Sequence, residues 1–270
     1  MKFSVLMSVY KAEEADFLDM ALASVAANTL RPSEIVLVED GPIPGALIDV
    51  IEKYRNALNI KSVVLSRNEG LGSALQKGVI SCEHELIARF DSDDVCCTER
   101  FQRQIEQFER DPCLDICGSF IDEYDELLEN KMATRFLPEH HAEIEKFAKC
   151  RNPFNHMTVM FRRAMILKAG NYRKFHLYED YDLWARALQM GAKTYNIQQS
   201  LVKARAGRAM TDRRGGIRYA ISEYKAQRGF LRSGFISQSR FLRNIMLRIP
   251  VRLIPASFRY GIYIKIRKNG

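Results

Sequence analysis

No window of this 270-residue sequence strings together the roughly 18 to 20 uninterrupted apolar residues that a membrane-spanning helix requires. The stretch from Met1 to Tyr10 lacks a long apolar core and a small-residue cleavage site, so no secretory signal peptide is expected. The six cysteines (Cys82, Cys96, Cys97, Cys113, Cys117 and Cys150) include no C-x-x-C pair, which argues against a zinc site. The adjacent Cys96 and Cys97 suit a disulfide scaffold poorly, so reduced thiols in a cytosolic protein are expected. Internal repeats and low-complexity segments are also missing. With 47% hydrophobic and 27% charged residues, the composition excludes a disordered or fibrous chain. Acids are scarce at one end only. Residues 203–270 hold 17 Lys/Arg against Asp212 and Glu223, whereas residues 1–202 hold 24 Lys/Arg and 31 Asp/Glu. An acidic body with a basic end implies an anionic partner there, either nucleic acid or an anionic membrane face.

What is present in the first third is a regular alternation. Residues 3–9, 34–38, 61–65 and 86–90 read as short apolar strands, and 16–27, 47–58 and 71–81 as helices between them. This order predicts an α/β fold, with an open, mostly parallel sheet flanked by helices. Ligands of such sheets sit beyond the carboxyl ends of the strands. Tyr10, Glu39–Asp40, Arg67–Asn68 and the run 91–94 all fall at such ends. Further on, Thr98 can cap a helix over 98–110, 114–121 and 157–161 read as strands, and 162–169 and 180–190 read as helices.

Four constellations carry chemistry. Asp91-Ser92-Asp93-Asp94 follows an apolar strand directly, and carboxylates at i and i+2 on such a turn suit a hard divalent cation that bridges to phosphate oxygens. An acidic surface turn is the bland alternative. At the end of the second strand, Glu39-Asp40-Gly41 can accept a nucleobase N–H or simply close a turn. Arg67-Asn68-Glu69-Gly70-Leu71-Gly72 has a Gly-x-Gly but Leu75 where a third glycine belongs, and it follows the third strand, which excludes a dehydrogenase. There Gly70 and Gly72 can let the chain approach a ligand closely. In Tyr178-Glu179-Asp180-Tyr181-Asp182, three acids open a helix, where the helix dipole alone would favour them. A base that takes a proton from an acceptor hydroxyl must be a carboxylate or a histidine, and His156 is the rival. Trp184, the only tryptophan, either packs with Leu183 and Leu188 or meets a sugar.

In this order the motifs resemble those of the inverting family-2 glycosyltransferases with the GT-A fold, over residues 3 to about 201. The resemblance implies a nucleobase contact at Ser8, Val9 and Tyr10, and uridine binding by Asp40. It matches the family's Asn-x-Gly segment with Asn68 and Gly70, and its D-x-D metal motif with Asp91 and Asp93. It also makes Asp180 the catalytic base in a Glu179–Asp180 pair. The family often carries Asp where this chain has Glu39, so Asp40 is the acid expected to hold the base. Donor contacts are thus expected from Ser8, Val9, Tyr10, Glu39, Asp40, Arg67, Asn68, Gly70, Asp91 and Ser92. The metal, Mn2+ or Mg2+, falls to Asp91 and Asp93. His156, Glu179 and Trp184 are expected on the acceptor, with Glu179 and His156 as alternative bases.

The overall likeness is to bacterial enzymes of O-antigen and exopolysaccharide synthesis. It implies transfer of a hexose, galactose or glucose, from a UDP-sugar to N-acetylhexosamine on diphospho-undecaprenol. The expected organisation is a catalytic domain over 1–202, with donor half about 1–97 and acceptor half about 98–202. A basic helical extension over 203–270 would hold the enzyme on the inner face of the membrane, without nucleic acid. In that extension Arg240, Arg243, Arg248, Arg252, Arg259 and Lys268 alternate with apolar residues, and Pro250 and Pro255 are expected to break it into short helices. Two rivals are weighed. A nucleotidyltransferase would carry a glycine-rich loop after the first strand, where Val9-Tyr10-Lys11-Ala12-Glu13 has none. A nucleic-acid-binding module would use the basic tail and show salt-sensitive retention on DNA.

Overall fold

The computed structural model describes residues 1–206 and 215–254; Pro255, Arg259 and Lys268 lie outside the described residues. The first four strands and three helices appear as expected: β1 (Phe3–Val9), α1 (Ala15–Ala26), β2 (Glu34–Glu39), α2 (Gly45–Arg55), β3 (Ile60–Val64), α3 (Leu71–Ser81) and β4 (Leu86–Arg89). β1 lies between β2 and β4, and all three pairings in this half are parallel. Such strands must be apolar on both faces, and the alternation along β1 shows why. Val5, Met7 and Val9 pack with Leu18, Leu22 and Ile51, whereas Leu6 points the other way, into a core with Leu75, Val79, Phe161 and Trp184.

The second half departs from a mostly parallel sheet. It comprises β5 (Val95–Cys96), α4 (Arg100–Arg110), β6 (Ile116–Tyr124), β7 (Lys131–Arg135), α5 (His141–Ala148), a 3-10 turn (His156–Thr158), β8 (Met160–Arg162), α6 (Arg163–Lys168), α7 (Glu179–Gln189) and β9 (Thr194–Arg205). The sheet is ordered β3-β2-β1-β4-β8-β6-β9-β5, with β7 on β6. Here, among the described residues, only β6 and β9 run parallel; β8 is antiparallel to both β4 and β6, and β5 is antiparallel to β9. Thr98 does not cap α4; its carbonyl instead accepts the Thr29 backbone N–H at 2.9 Å. β9 runs three residues past the expected boundary at 202 and pairs with β5, so it draws the end of the donor half onto the acceptor half.

Two more helices follow, α8 (Ile217–Arg232) and α9 (Gln238–Leu253), and they form an antiparallel hairpin. Ala226, Phe230 and Phe235 pack against Tyr181, Ala185 and Leu188 of α7. Pro250 does not break α9, which runs on to Leu253. A proline forfeits a single backbone bond, and the side-chain contacts of Arg248 and Arg252 on either side hold the helix. Those two arginines are not free surface cations. Both pair with Glu223, which is wholly buried, at 2.7 and 3.3 Å, and Tyr178 donates its hydroxyl to the same carboxylate at 2.5 Å. Burial would push the Glu223 carboxyl up, but Arg248, the Tyr178 hydroxyl and Arg252 together hold it below its usual value.

Candidate active site

The donor side is built from the ends of β1 to β4. The Asp40 carboxylate accepts the backbone N–H groups of Glu69 and Gly70 at 2.7 and 2.9 Å, and Asn68 Nδ2 donates to the Asp40 carbonyl at 3.2 Å. Asp40 is therefore buried and clamps two turns at the donor edge. Glu39 is half-buried at the same strand end. Gly41 permits this clamp. It sits at φ +89°, and a Cβ there would lie 2.6 Å from the Asn68 nitrogen. The Val9 side chain is wholly buried, and its carbonyl accepts the Asp40 N–H at 2.8 Å. Ser8 is half-buried, and Tyr10, Arg67 and Asn68 are exposed at the same edge.

The acidic turn is held between β4 and β9. Asp91, Asp93 and Asp94 each offer a carboxylate oxygen, all within 4.8 Å of one another, whereas Ser92 is buried. Arg205, at the end of β9, gives its backbone N–H to Asp94 at 3.0 Å and its guanidinium to the Asp93 carbonyl, and stacks over Phe17 at 3.9 Å. Burial, with Asp91 alongside, pushes the Asp93 carboxyl up; burial with both neighbours pushes Asp94 up strongly. Asp94 Oδ2 is buried without a hydrogen-bond partner. Crowded carboxylates with an orphaned buried oxygen fit a hard divalent cation, and Asp94 joins Asp91 and Asp93 as a potential ligand.

The acceptor side lies across Arg89. This residue is 2% exposed and pairs with Asp91. Its charge reaches Tyr172, His156 and Asp180, so one buried cation joins the metal turn to the base candidates. Asp180 accepts from Asn152 Nδ2 at 2.5 Å and from the Tyr181 backbone N–H at 2.7 Å. Burial raises its pKa against those two donors, which makes it a stronger base than a solvated aspartate. His156 is half-buried with Nε2 3.0 Å from the Tyr172 hydroxyl; burial and Arg89 hold it well below the usual histidine range, and so neutral. Trp184 does not face an acceptor. It is wholly buried among Phe154, Phe161 and Tyr172, and a ring with no open face cannot stack on a sugar.

Gly72 joins the two sides. A Cβ there would strike the Arg173 carbonyl oxygen and lie 2.8 Å from Glu179 Cγ, so this glycine serves close chain packing, not a close ligand. Burial, with the Asp180 charge beside it, pushes Glu179 up to about 7 against backbone hydrogen bonds from Glu179 itself and Leu177. An acid with a raised folded pKa contributes stability while protonated and loses it as pH rises from the unfolded value of 4.5 through about 7. Glu179→Gln, which stays neutral, should therefore become more stable than the unsubstituted protein above that window and match it below. Thermal melts across pH measure this, and parallel Tm curves would show that Glu179 titrates normally.

Arg89, Arg205 and Asn152 escaped the sequence reading. Arg89 carried one signal, a lone cation inside an apolar strand. Asn152 stood four residues before His156 without a signal of its own, and Arg205 reaches the acidic turn only through the β5–β9 pairing.

A parallel nucleotide-binding half joined through an acidic turn to a mixed acceptor half defines a GT-A glycosyltransferase fold. Two solved structures share it. Staphylococcus aureus TarS (residues 1–349) superposes with a TM-score of 0.65 at 19% identity, over 86% of this chain and 66% of that one. A Pyrobaculum calidifontis mannosyltransferase, solved with GDP-Man and Mn2+, superposes with a TM-score of 0.66 at 14% identity, over 92% and 69%. The chain belongs to glycosyl transferase family 2, whose profile matches residues 4–170. It is 42% identical to the Escherichia coli UDP-Gal:alpha-D-GlcNAc-diphosphoundecaprenol beta-1,3-galactosyltransferase, over 98% of this chain and 96% of that one. It is 38% identical to the Erwinia amylovora amylovoran biosynthesis glycosyltransferase AmsE, over 99% and 100%. The protein is thus a glycosyltransferase of the bacterial repeat-unit type, and neither the nucleotidyltransferase nor the nucleic-acid reading finds support. Among the described residues no helix is long and apolar enough to cross a membrane.

Proposed function

We propose that this enzyme transfers galactose from UDP-galactose to N-acetylglucosamine carried on a diphospho-lipid, forming a β-1,3 linkage, on the inner face of the cell membrane. The near-full-length likeness to the E. coli galactosyltransferase carries this reading. Glu39, Tyr10 and the Arg67–Asn68 edge would hold the nucleotide. A divalent cation on Asp91, Asp93 and Asp94, manganese or magnesium, would neutralise the charge gathering on the departing diphosphate. Asp180 takes the proton of the acceptor hydroxyl, and Asn152 and the Tyr181 N–H fix the carboxylate for that transfer. The acceptor oxygen bonds to the anomeric carbon as the bond to the diphosphate breaks on the opposite face, so an α-linked donor yields a β-linked product and free UDP. Arg89 steadies Asp91 and lowers the energy of the negative charge on both sides.

The test is transfer from a panel of nucleotide sugars to a synthetic N-acetylglucosaminyl diphosphate carrying a short lipid, with the product linkage read by NMR. UDP-galactose should be used at least tenfold better than UDP-glucose or UDP-N-acetylglucosamine, about 1.4 kcal/mol of discrimination. A preference for another sugar would discard galactose; no transfer from any donor would discard the acceptor class.

A further inference from the structure

Helix α9 is amphipathic in an inverted sense. Its inward face is polar. Arg240 donates to Cys150 Sγ at 3.1 Å, and Asn244 donates to the Lys149 carbonyl at 3.0 Å and to Gln227 at 2.9 Å. Arg248 reaches the Cys150 carbonyl at 2.6 Å as well as Glu223. These residues recur every four positions, so they share one side of the helix. The opposite side is apolar and open: Leu242, Met246 and Leu253 are 52%, 68% and 54% exposed. On α8, Ile217, Ile221 and Tyr224 repeat the pattern and are also exposed. The Tyr224 ring meets the half-buried Phe241 of α9 edge-on at 6.1 Å.

Single exposed apolar residues need no explanation, but a stripe on each of two paired helices does. The charge around them selects the occupant. Residues 215–254 carry eight Lys/Arg and a single acid, Glu223, which is buried and neutralised internally. The exposed charges of the hairpin, Arg218, Lys225, Arg228, Arg232 and Arg243, are therefore all positive. A second copy of the chain on this face would press cations against cations. An apolar stripe ringed by cations and free of exposed acids matches the boundary between acyl chains and anionic headgroups.

We propose that the outward face of the α8–α9 hairpin seats the enzyme on an anionic bilayer. Leu242, Met246 and Leu253 enter the acyl boundary, and the surrounding arginines and Lys225 lie among the headgroups. The seat deepens the lipid-acceptor reading above and rests on it for the presence of a bilayer. α8 also holds Tyr178 through Glu223, so the bilayer face and the segment carrying Asp180 belong to one packed unit.

Flotation of the full-length protein with vesicles of phosphatidylethanolamine and phosphatidylglycerol tests the seat, with phosphatidylcholine vesicles as the neutral control. The unsubstituted protein should float with the anionic vesicles and remain at the bottom with the neutral ones. The double variant Leu242→Glu/Met246→Glu should bind about a hundredfold more weakly, roughly tenfold for each side chain kept out of the acyl boundary. Its thermal midpoint and its transfer to a soluble short-chain acceptor should be unchanged, because both side chains face outward. Equal flotation of the two proteins, or equal binding to both kinds of vesicle, overturns the proposal. So does a vesicle-free dimer, seen by sedimentation, that the double variant abolishes, since that gives the face to a second copy. Flotation involves no sugar transfer, and the soluble acceptor involves no bilayer, so a failure of the seat is distinguishable from a failure of the transferase reading.

Discussion

Asp180→Asn should bind nucleotide sugar as tightly as the unsubstituted protein and turn it over roughly 10²- to 10⁴-fold more slowly, the range for removing a positioned general base. The amide keeps the size of the carboxylate and cannot take a proton from the acceptor hydroxyl. Donor affinity should survive, because the donor edge is built from β1 to β4 while Asp180 stands on α7, held by Asn152 and the Tyr181 N–H. The exchange leaves one mismatch, since the new NH2 group would face a donor that formerly found an oxygen. Rotation of the Asn152 amide relieves it at the expense of the 3.3 Å bond that its oxygen accepts from Phe154 N–H. A small loss of thermal stability is therefore expected beside the large loss of rate. Calorimetric binding of UDP and steady-state rates, measured on the same preparation, separate the two. A variant that binds donor normally and turns over at the original rate would shift the base to Glu179 or His156.

Asp93→Ala should reduce transfer by roughly 10³-fold or more, several kcal/mol of charge stabilisation at about 1.4 kcal/mol per tenfold. A chelator should do the same to the unsubstituted protein, with manganese or magnesium restoring it. Stability gives an independent reading. Asp91, Asp93 and Asp94 are crowded and partly desolvated, so removing one of them relieves repulsion in the metal-free protein. The metal-free variant should melt no lower than the metal-free unsubstituted protein. Added manganese should raise the midpoint of the latter alone, since a ligand stabilises only the state that binds it. The turn itself should persist, because Arg205 holds it through the Asp93 carbonyl and the Asp94 carboxylate, not through the Asp93 side chain. Full transfer in excess chelator would remove the metal from the reaction.

The C-terminal hairpin is an integral part of this acceptor half. Glu223 is buried, and its carboxylate meets Arg248 and Arg252 from the next helix, the Tyr178 hydroxyl and the Gln227 side-chain amide. Removing one partner of such a cluster strands the rest, a destabilisation on the order of 3–5 kcal/mol. Helix α9 is thus tied to the residue that immediately precedes Glu179 and Asp180, and the basic end of the chain serves two purposes. Its inward cations close an ion cluster, and its outward ones remain for a partner.

By itself the sequence determined the donor half. Its strands are buried on both faces and so read as unbroken apolar runs, and each ends in a polar turn that the chain order alone brings to one edge. Beyond residue 97 that periodicity fails. β9 carries Gln198, Gln199 and Ser200 in its middle, where its pairing with β6 shifts register twice, so no alternating pattern marked it as a strand. The roles of single polar residues were likewise a matter for the tertiary structure. That Asp40 clamps a turn depends on where the backbone N–H groups of Glu69 and Gly70, some thirty residues away in sequence, come to rest. Whether Arg248 meets lipid or a buried carboxylate depends on the packing of α9 on α8. Hydrophobic burial follows local periodicity, which a sequence displays. The satisfaction of buried charge and hydrogen bonds is a long-range pairing problem, and only the folded arrangement of Arg89, Asn152, Arg205 and Glu223 resolves it.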